Sequence, residues 1–163
     1  MHHRPPYSAF PTISDNRITL VEIQSSDLED LIEICFYDGV KASTVEEAQE
    51  MQLKINADYH SGNSVHWGIR DMESGRLVGT CGYYRGFEKG GELGCVLLPQ
   101  FRGQGFMTPA LQLAVRFGLE TIGLERIYAI TTNSNHKAIA LLERIGFHKT
   151  TDLEDEAVEY VLK

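Results

Sequence analysis

The spacing of apolar residues shifts along this chain between a period of two and one near 3.6, which predicts short strands interleaved with amphipathic helices. Residues 17–23 alternate, Ile18 and Leu20 against Thr19 and Val21, and read as a first strand. Ser25, Ser26 and Asp27 then offer N-cap chemistry. Leu28, Leu31, Ile32, Cys35 and Phe36 make one face of the helix that follows, and Gly39 ends it. A second helix is expected from Thr44, with Glu46 and Glu47 in its first turn and Val45, Ala48, Met51, Leu53 and Ile55 as its apolar positions, stopping before Ser61. Residues 65–71 and 76–83 read as strands joined by a turn. After a connection over 85–91, residues 92–98 form an apolar central strand interrupted at Gly94. Three strands in succession with no helix between them argue against a doubly wound sheet.

Farther on, Ala110, Leu111, Ala114, Val115, Gly118 and Leu119 recur at helical spacing to about residue 120, and Gly123 breaks the chain. Residues 127–132 alternate as a fifth strand, parallel to the central one through a helical crossover. A short helix lined by Ala138, Ile139, Leu141, Leu142 and Ile145 follows, capped from Asn133, Ser134 and Asn135 and closed by Gly146. Residues 147–151 and 157–162 are the last strands. Residues 1–16 carry prolines and histidines without a period and read as an arm or a surface strap, leaving 17–163 as a single domain. His2 and His3 have no partners in sequence that would make them a metal site.

The corner between the central strand and its helix, residues 97–108, reads Leu-Leu-Pro-Gln-Phe-Arg-Gly-Gln-Gly-Phe-Met-Thr. Gly103 and Gly105 permit left-handed backbone and close approach of a ligand. A helix starting there offers unpaired N–H groups and the positive end of its dipole, and Pro109 suits a first turn. Such a corner suits a phosphate; it also reads as a glycine-softened turn that binds nothing. A Walker loop would need Lys-Ser or Lys-Thr after Gly105, where Phe106 and Met107 stand, and a Rossmann fingerprint would need glycine or alanine at Thr108.

At 163 residues the chain is one domain's worth, and its net charge of −8 with no basic stripe argues against a nucleic-acid partner. No apolar run suits a membrane span, and no signal peptide is visible, so a cytoplasmic protein is expected. Cys35, Cys81 and Cys95 are widely spaced in apolar contexts and read as buried free thiols, with no metal site.

The corner resembles the acyl-CoA pyrophosphate loop of the GNAT N-acetyltransferase superfamily, Gln/Arg-x-x-Gly-x-Gly/Ala, here Arg102-x-x-Gly105-x-Met107 after Pro99. Met107 departs from the strict pattern, as larger residues do in the branch resembling the RimJ/RimL ribosomal-protein acetyltransferases. Asn135, Ala138, Leu141, Leu142, Glu143, Gly146 and Phe147 resemble the superfamily's second signature, in the right order and at a suitable separation. The resemblance implies an α/β (α+β) fold: a central mixed sheet, helices on both faces, and a splayed gap between the fourth and fifth strands. The gap would receive the pantetheine arm of acetyl-CoA along the backbone of Cys95, Val96 and Leu97. The N–H groups of Gly103, Gln104, Gly105, Phe106, Met107 and Thr108, beside Arg102, would hold the diphosphate. Asn135 would bond the arm near the thioester, or act as an N-cap, or both.

The reaction so implied is direct attack of a neutral primary amine, a protein N-terminal α-amine or a small amine, on the acetyl thioester. Glu92 is the candidate base, or else a solvated strand-end residue. A main-chain N–H at Val96 or Leu97 would stabilise the oxyanion. The hydroxyls that many relatives use as general acid fall at Leu142 and Ala138, where this chain has none; His136 on the same helix is a weaker candidate. His66, Trp67, Tyr83 and Tyr84 are candidates to line the acceptor pocket, or simply pack the strands. The missing acid keeps open a non-catalytic acyl-CoA sensor of the same fold, and a nucleotide oxidoreductase is a third reading. A homodimer rests on resemblance alone.

Overall fold

The computed structural model describes residues 3–162; Met1, His2 and Lys163, the outer ends of the expected arm and domain, lie outside them. In chain order the strands are β1 (Ile13–Ser14), β2 (Ile18–Val21), β3 (Phe36–Tyr37), β4 (Val40–Lys41), β5 (Val65–Asp71), β6 (Leu77–Tyr84), β7 (Gly91–Leu97), β8 (Ile127–Thr132), β9 (Phe147–Asp152) and β10 (Ala157–Leu162). The α-helices are α1 (Leu28–Leu31), α2 (Val45–His60), α3 (Met107–Phe117) and α4 (His136–Arg144). Eight strands form one sheet in the order β1-β2-β5-β6-β7-β8-β10-β9. Every neighbouring pair is antiparallel except β7 and β8, which α3 joins as a crossover.

Alternation along the strands divides the sheet into two faces. One packs on α3: the Cys81 thiol lies 3.9 Å from the Ala110 carbonyl, the Tyr83 hydroxyl donates to the Ala114 carbonyl at 2.7 Å, and Trp67 meets Phe117 edge-on at 5.1 Å. These three side chains are fully buried, so each polar tip needs a partner inside the protein. The indole N–H of Trp67 finds one in the Pro11 carbonyl at 3.0 Å. Tyr7 and Phe10, from the same N-terminal stretch, pack beside Tyr59. The opposite face is covered by α1 and α2, where Leu28, Leu31 and Ala48 pack with Leu77 and Leu98.

Several expectations need correction. Residues 28–36 do not form one helix: α1 is a single turn between 3-10 turns at Ser25–Asp27 and Ile32–Ile34. Phe36 instead pairs with Lys41 in the β3–β4 hairpin and is 49% exposed. Asp38 (φ 51°) and Gly39 (φ 79°) are the two left-handed residues of a two-residue loop, the Asp-Gly chemistry of a type I′ turn. Leu53 points outward from α2. After Phe117 the helix widens into a π-turn over Gly118–Ile122, which rotates Leu119 to the surface, and Gly123 (φ 78°) ends it. Of the cysteines only Cys81 is buried; Cys35 and Cys95 are half-buried, and all three are free. Among the described residues no helix is long and apolar enough to cross a membrane.

Candidate active site

The parallel pairing of β7 with β8 covers only Gly91 opposite Ile127 and Glu92 opposite Tyr128. Beyond that the strands separate. From Leu93 to Leu97, β7 remains paired with β6 on one side and, among the described residues, has no strand on the other. Val96 on β7 and Ile130 on β8 are 37% and 42% exposed, an apolar lining beside this gap. An extended chain of amides could add to such an edge as another strand would.

At the far end of β7 the chain turns through Pro99–Phe101 and enters α3. Gly103 (φ 76°) and Gly105 (φ 82°) are both left-handed. Phe106 occupies the N-cap position of α3 with no side-chain cap, and the N–H groups of residues 103–108 donate to no acceptor among the described residues. Six main-chain donors at a helix start, unpaired, form a cradle for an anion. Arg17, on the edge of β2, braces it: its guanidinium donates to the Gln104 carbonyl and lies 4.3 Å above the Phe106 ring. Arg102 turns back instead, its Nε donating to the Leu97 carbonyl at 3.3 Å.

On the other side of β7, between the sheet and α1, α2 and the β3–β4 hairpin, lies a cavity of about 550 Å³. Leu28, Leu31, Met51 and Ile55 give it an apolar wall, and Thr80, Tyr84, Glu92 and His66 furnish a polar floor. Burial raises the Glu92 carboxyl above its ordinary range; the Arg85 guanidinium at 3.8 Å and the Tyr128 hydroxyl pull it part of the way back. Burial pushes His66 down to about 4, so its imidazole is neutral at neutral pH, and its Nδ1 has no hydrogen-bond partner among the described residues. The buried Ser64 hydroxyl, two residues away, likewise bonds to no described residue. Asp58 accepts from the Tyr37 hydroxyl at 2.9 Å where hairpin and α2 meet.

Of the residues singled out in the sequence, Glu92, Cys95 and Val96 border the cavity, and Leu97 leads into the loop of residues 102–108. His66 and Tyr84 line the cavity, whereas Trp67 and Tyr83 do not: strand alternation turns both toward α3. Asn135 caps α4, its Oδ1 accepting from the Ala138 N–H at 3.2 Å, which leaves its amide NH₂ uncommitted. His136 is exposed at the start of α4 and does not border the cavity. Leu142 is buried and supplies no polar group. Arg17, Asp58 and Tyr128 carry no local signal and enter through contacts between residues distant in sequence; Arg85 enters through its ion pair with Glu92 across the β6–β7 connection. Among the described residues no cluster of His, Cys, Asp or Glu is arranged to hold a metal.

A family model described as an acetyltransferase (GNAT) domain matches residues 17–148. The uncharacterized N-acetyltransferase YoaA of Bacillus subtilis is 28% identical over 149 residues, covering 86% of this chain and 84% of its own. Two Escherichia coli proteins match over shorter stretches. The spermidine N(1)-acetyltransferase is 31% identical over 40% of this chain and 35% of its own. The [ribosomal protein uS5]-alanine N-acetyltransferase is 29% identical over 66% and 55%. A solved acetyltransferase structure from Agrobacterium tumefaciens superposes with a TM-score of 0.78 at 22% identity, covering 99% of each chain, and so shares the fold.

Proposed function

We propose, on the premise that this chain belongs to the GNAT acetyltransferase family and is an acetyltransferase enzyme, that it transfers acetyl from acetyl-CoA to a small primary amine held in the cavity beside β7. Enzymes of this family use acetyl-CoA as donor. The observation that carries the reading is the pairing of an open strand edge on β7 with six unpaired N–H groups just beyond its end. Residues 103–108 hold the diphosphate by main-chain donors; the backbone of Cys95, Val96 and Leu97 bonds the pantetheine amides; the free amide of Asn135 reaches the arm from α4. Arg102 shapes the exit of β7 through its bond to Leu97. Residues 17–163 act as one catalytic domain, and 1–16 as an arm that joins its sheet through β1 at Ile13–Ser14.

Glu92 takes the proton that the amine must shed. Its raised pKa brings it closer to the working pH, which improves a general base. A main-chain N–H on the open edge of β7 faces the charge that develops on the thioester oxygen. The role of His136 falls away in this reading, since it stands apart from the cavity.

For the acceptor, Glu92, Asp38 and Asp58 border the cavity and attract a cation, and the apolar wall of α1 and α2 suits a hydrocarbon body. Its size fits a small ligand enclosed on most sides. A protein N-terminus is the second reading, favoured by Phe36, which borders the cavity yet is 49% exposed and could take a first side chain. The test is calorimetric binding of CoA, followed by thiol release from acetyl-CoA with phenethylamine, spermidine and an alanine-initiated peptide. Micromolar CoA binding and fastest release with phenethylamine are expected. Binding without release on any acceptor would leave a sensor, and no binding would remove the loop assignment.

A further inference from the structure

The donor half and the base leave one step unassigned, the protonation of the departing sulfur. The two positions where the resembled family carries a hydroxyl are Leu142 and Ala138. Tyr84 stands in cross-strand register with Glu92 on the cavity face of the sheet. Its ring leans diagonally over Gly94: a Cβ added at Gly94 would lie 2.6 Å from the ring's Cε2 and 3.6 Å from Cζ, the atom that bears the hydroxyl. Gly94 interrupts an otherwise apolar strand because a side chain there would occupy the space of this ring. The hydroxyl is therefore set at Gly94, one residue into the stretch where β7 loses its β8 partner.

The phenol is also unspent. Tyr7, Tyr37 and Tyr83 donate to the His3 carbonyl, to Asp58 and to the Ala114 carbonyl, while the Tyr84 hydroxyl bonds to no described residue. An arm whose diphosphate sits beyond Leu97 and which follows the open edge back to Gly94 covers three residue steps along it, about 10 Å. That path brings its thioester end to Gly94, two residues short of the pairing at Glu92 where the strands close.

We propose that Tyr84 is the catalytic acid that protonates the leaving thiolate, in place of the hydroxyls absent from α4. The proposal rests on the acetyltransferase reading above. The amine nitrogen bonds to the acetyl carbon as the C–S bond breaks; the nitrogen's surplus proton passes to Glu92, and the phenol proton of Tyr84 passes to sulfur. Glu92 then returns a proton to the phenolate across the one strand spacing between them, directly or through water, so that amine and acetyl-CoA become amide and CoA thiol with both side chains restored. Burial holds this phenol well above its ordinary range, so it is fully protonated at neutral pH and has a proton to give.

The experiment compares wild type and Tyr84→Phe with phenethylamine, using acetyl-CoA and an acetyl thioester of thionitrobenzoate, whose aryl thiolate leaves without a proton. With acetyl-CoA, kcat should fall about 100-fold at an unchanged KM for the donor. With the aryl thioester the deficit in kcat/KM should shrink to about threefold or less. An equal loss on both donors, or retention of more than half the wild-type kcat, would overturn the assignment. Should Tyr84→Phe fail to fold, difluorotyrosine at 84 keeps the shape and lowers the phenol pKa: the basic limb of kcat should move to lower pH, and an unmoved limb would also overturn it. Wild-type protein that binds CoA but releases no thiol would instead bring down the acetyltransferase reading itself.

Discussion

Replacing Gly105 by alanine tests the anion cradle, and Gly103 supplies an internal comparison. Both residues are left-handed, at φ 82° and 76°, so each alanine pays about 1–2 kcal/mol to hold its conformation. They differ in what the new methyl meets. At Gly103 nothing lies within 4 Å; at Gly105 the methyl would come within 2.9 Å of the Arg17 Nη1. Gly105→Ala must therefore also displace a guanidinium that bonds the Gln104 carbonyl and stacks on Phe106, a cation–π contact worth about 0.5–1 kcal/mol. For a chain of this size each kcal/mol lowers Tm by roughly 2–4 °C, so Gly105→Ala should melt several degrees below wild type and below Gly103→Ala. If the loop at 105 relaxes to negative φ, at least one N–H turns away from the diphosphate. The lost charge-assisted bond, about 1.5–3 kcal/mol, should weaken CoA binding roughly 10- to 100-fold by calorimetry. In an Arg17→Ala background the extra cost at 105 should vanish, leaving the two alanines equal. Equal melting temperatures for Gly103→Ala and Gly105→Ala in the presence of Arg17, with undiminished CoA affinity, would refute both the brace and the cradle.

Two other outcomes follow from groups in the cavity. Glu92 must be ionised to act as base and its pKa is raised, so kcat should fall on its acid side above the ordinary glutamate value of about 4.3. Because Tyr128 lowers that pKa, Tyr128→Phe should move the limb to still higher pH, and Glu92→Gln should abolish the limb while leaving CoA affinity intact; an unshifted limb in Tyr128→Phe removes the coupling. His66 titrates at about 4 in the folded chain and near 6.5 when unfolded, so between those values the unfolded state binds more protons and stability declines as pH falls. The full loss is about 3 kcal/mol. Melting curves of His66→Gln should be flatter across that window, and an unchanged slope would argue that the imidazole is hydrated.

What the sequence revealed and what it hid divide along physical lines. The corner at 97–108 was legible because turn glycines, Pro109 and a helix start are local chemistry, fixed within a few residues. The β7–β8 gap followed from resemblance, since nothing in the alternation of 127–132 says where pairing with the central strand stops. The pattern at 28–36 predicts a helix because Leu28, Leu31 and Ile32 recur at helical spacing; the Asp38-Gly39 turn, stronger than that short run, pulls Phe36 into a hairpin. For Trp67 and Tyr83 the alternation leaves pocket lining and strand packing both open, because a face cannot be told from an alternating pattern until one residue on it is placed; both pack toward α3. Arg17 and Gln104 stand 87 positions apart, and no periodicity connects them. Gly94 was noticed only as an interruption; its reason is a ring from the next strand.

The β3–β4 hairpin pairs with itself and not with the large sheet. It thus forms a rim that can be rebuilt without unpicking the scaffold, because the open edge of β7 and the loop leading into α3 belong to the large sheet and its crossover. Changes at Phe36, Tyr37 or Asp38 would therefore reshape one wall of the cavity while leaving every strand pairing of the eight-stranded sheet in place.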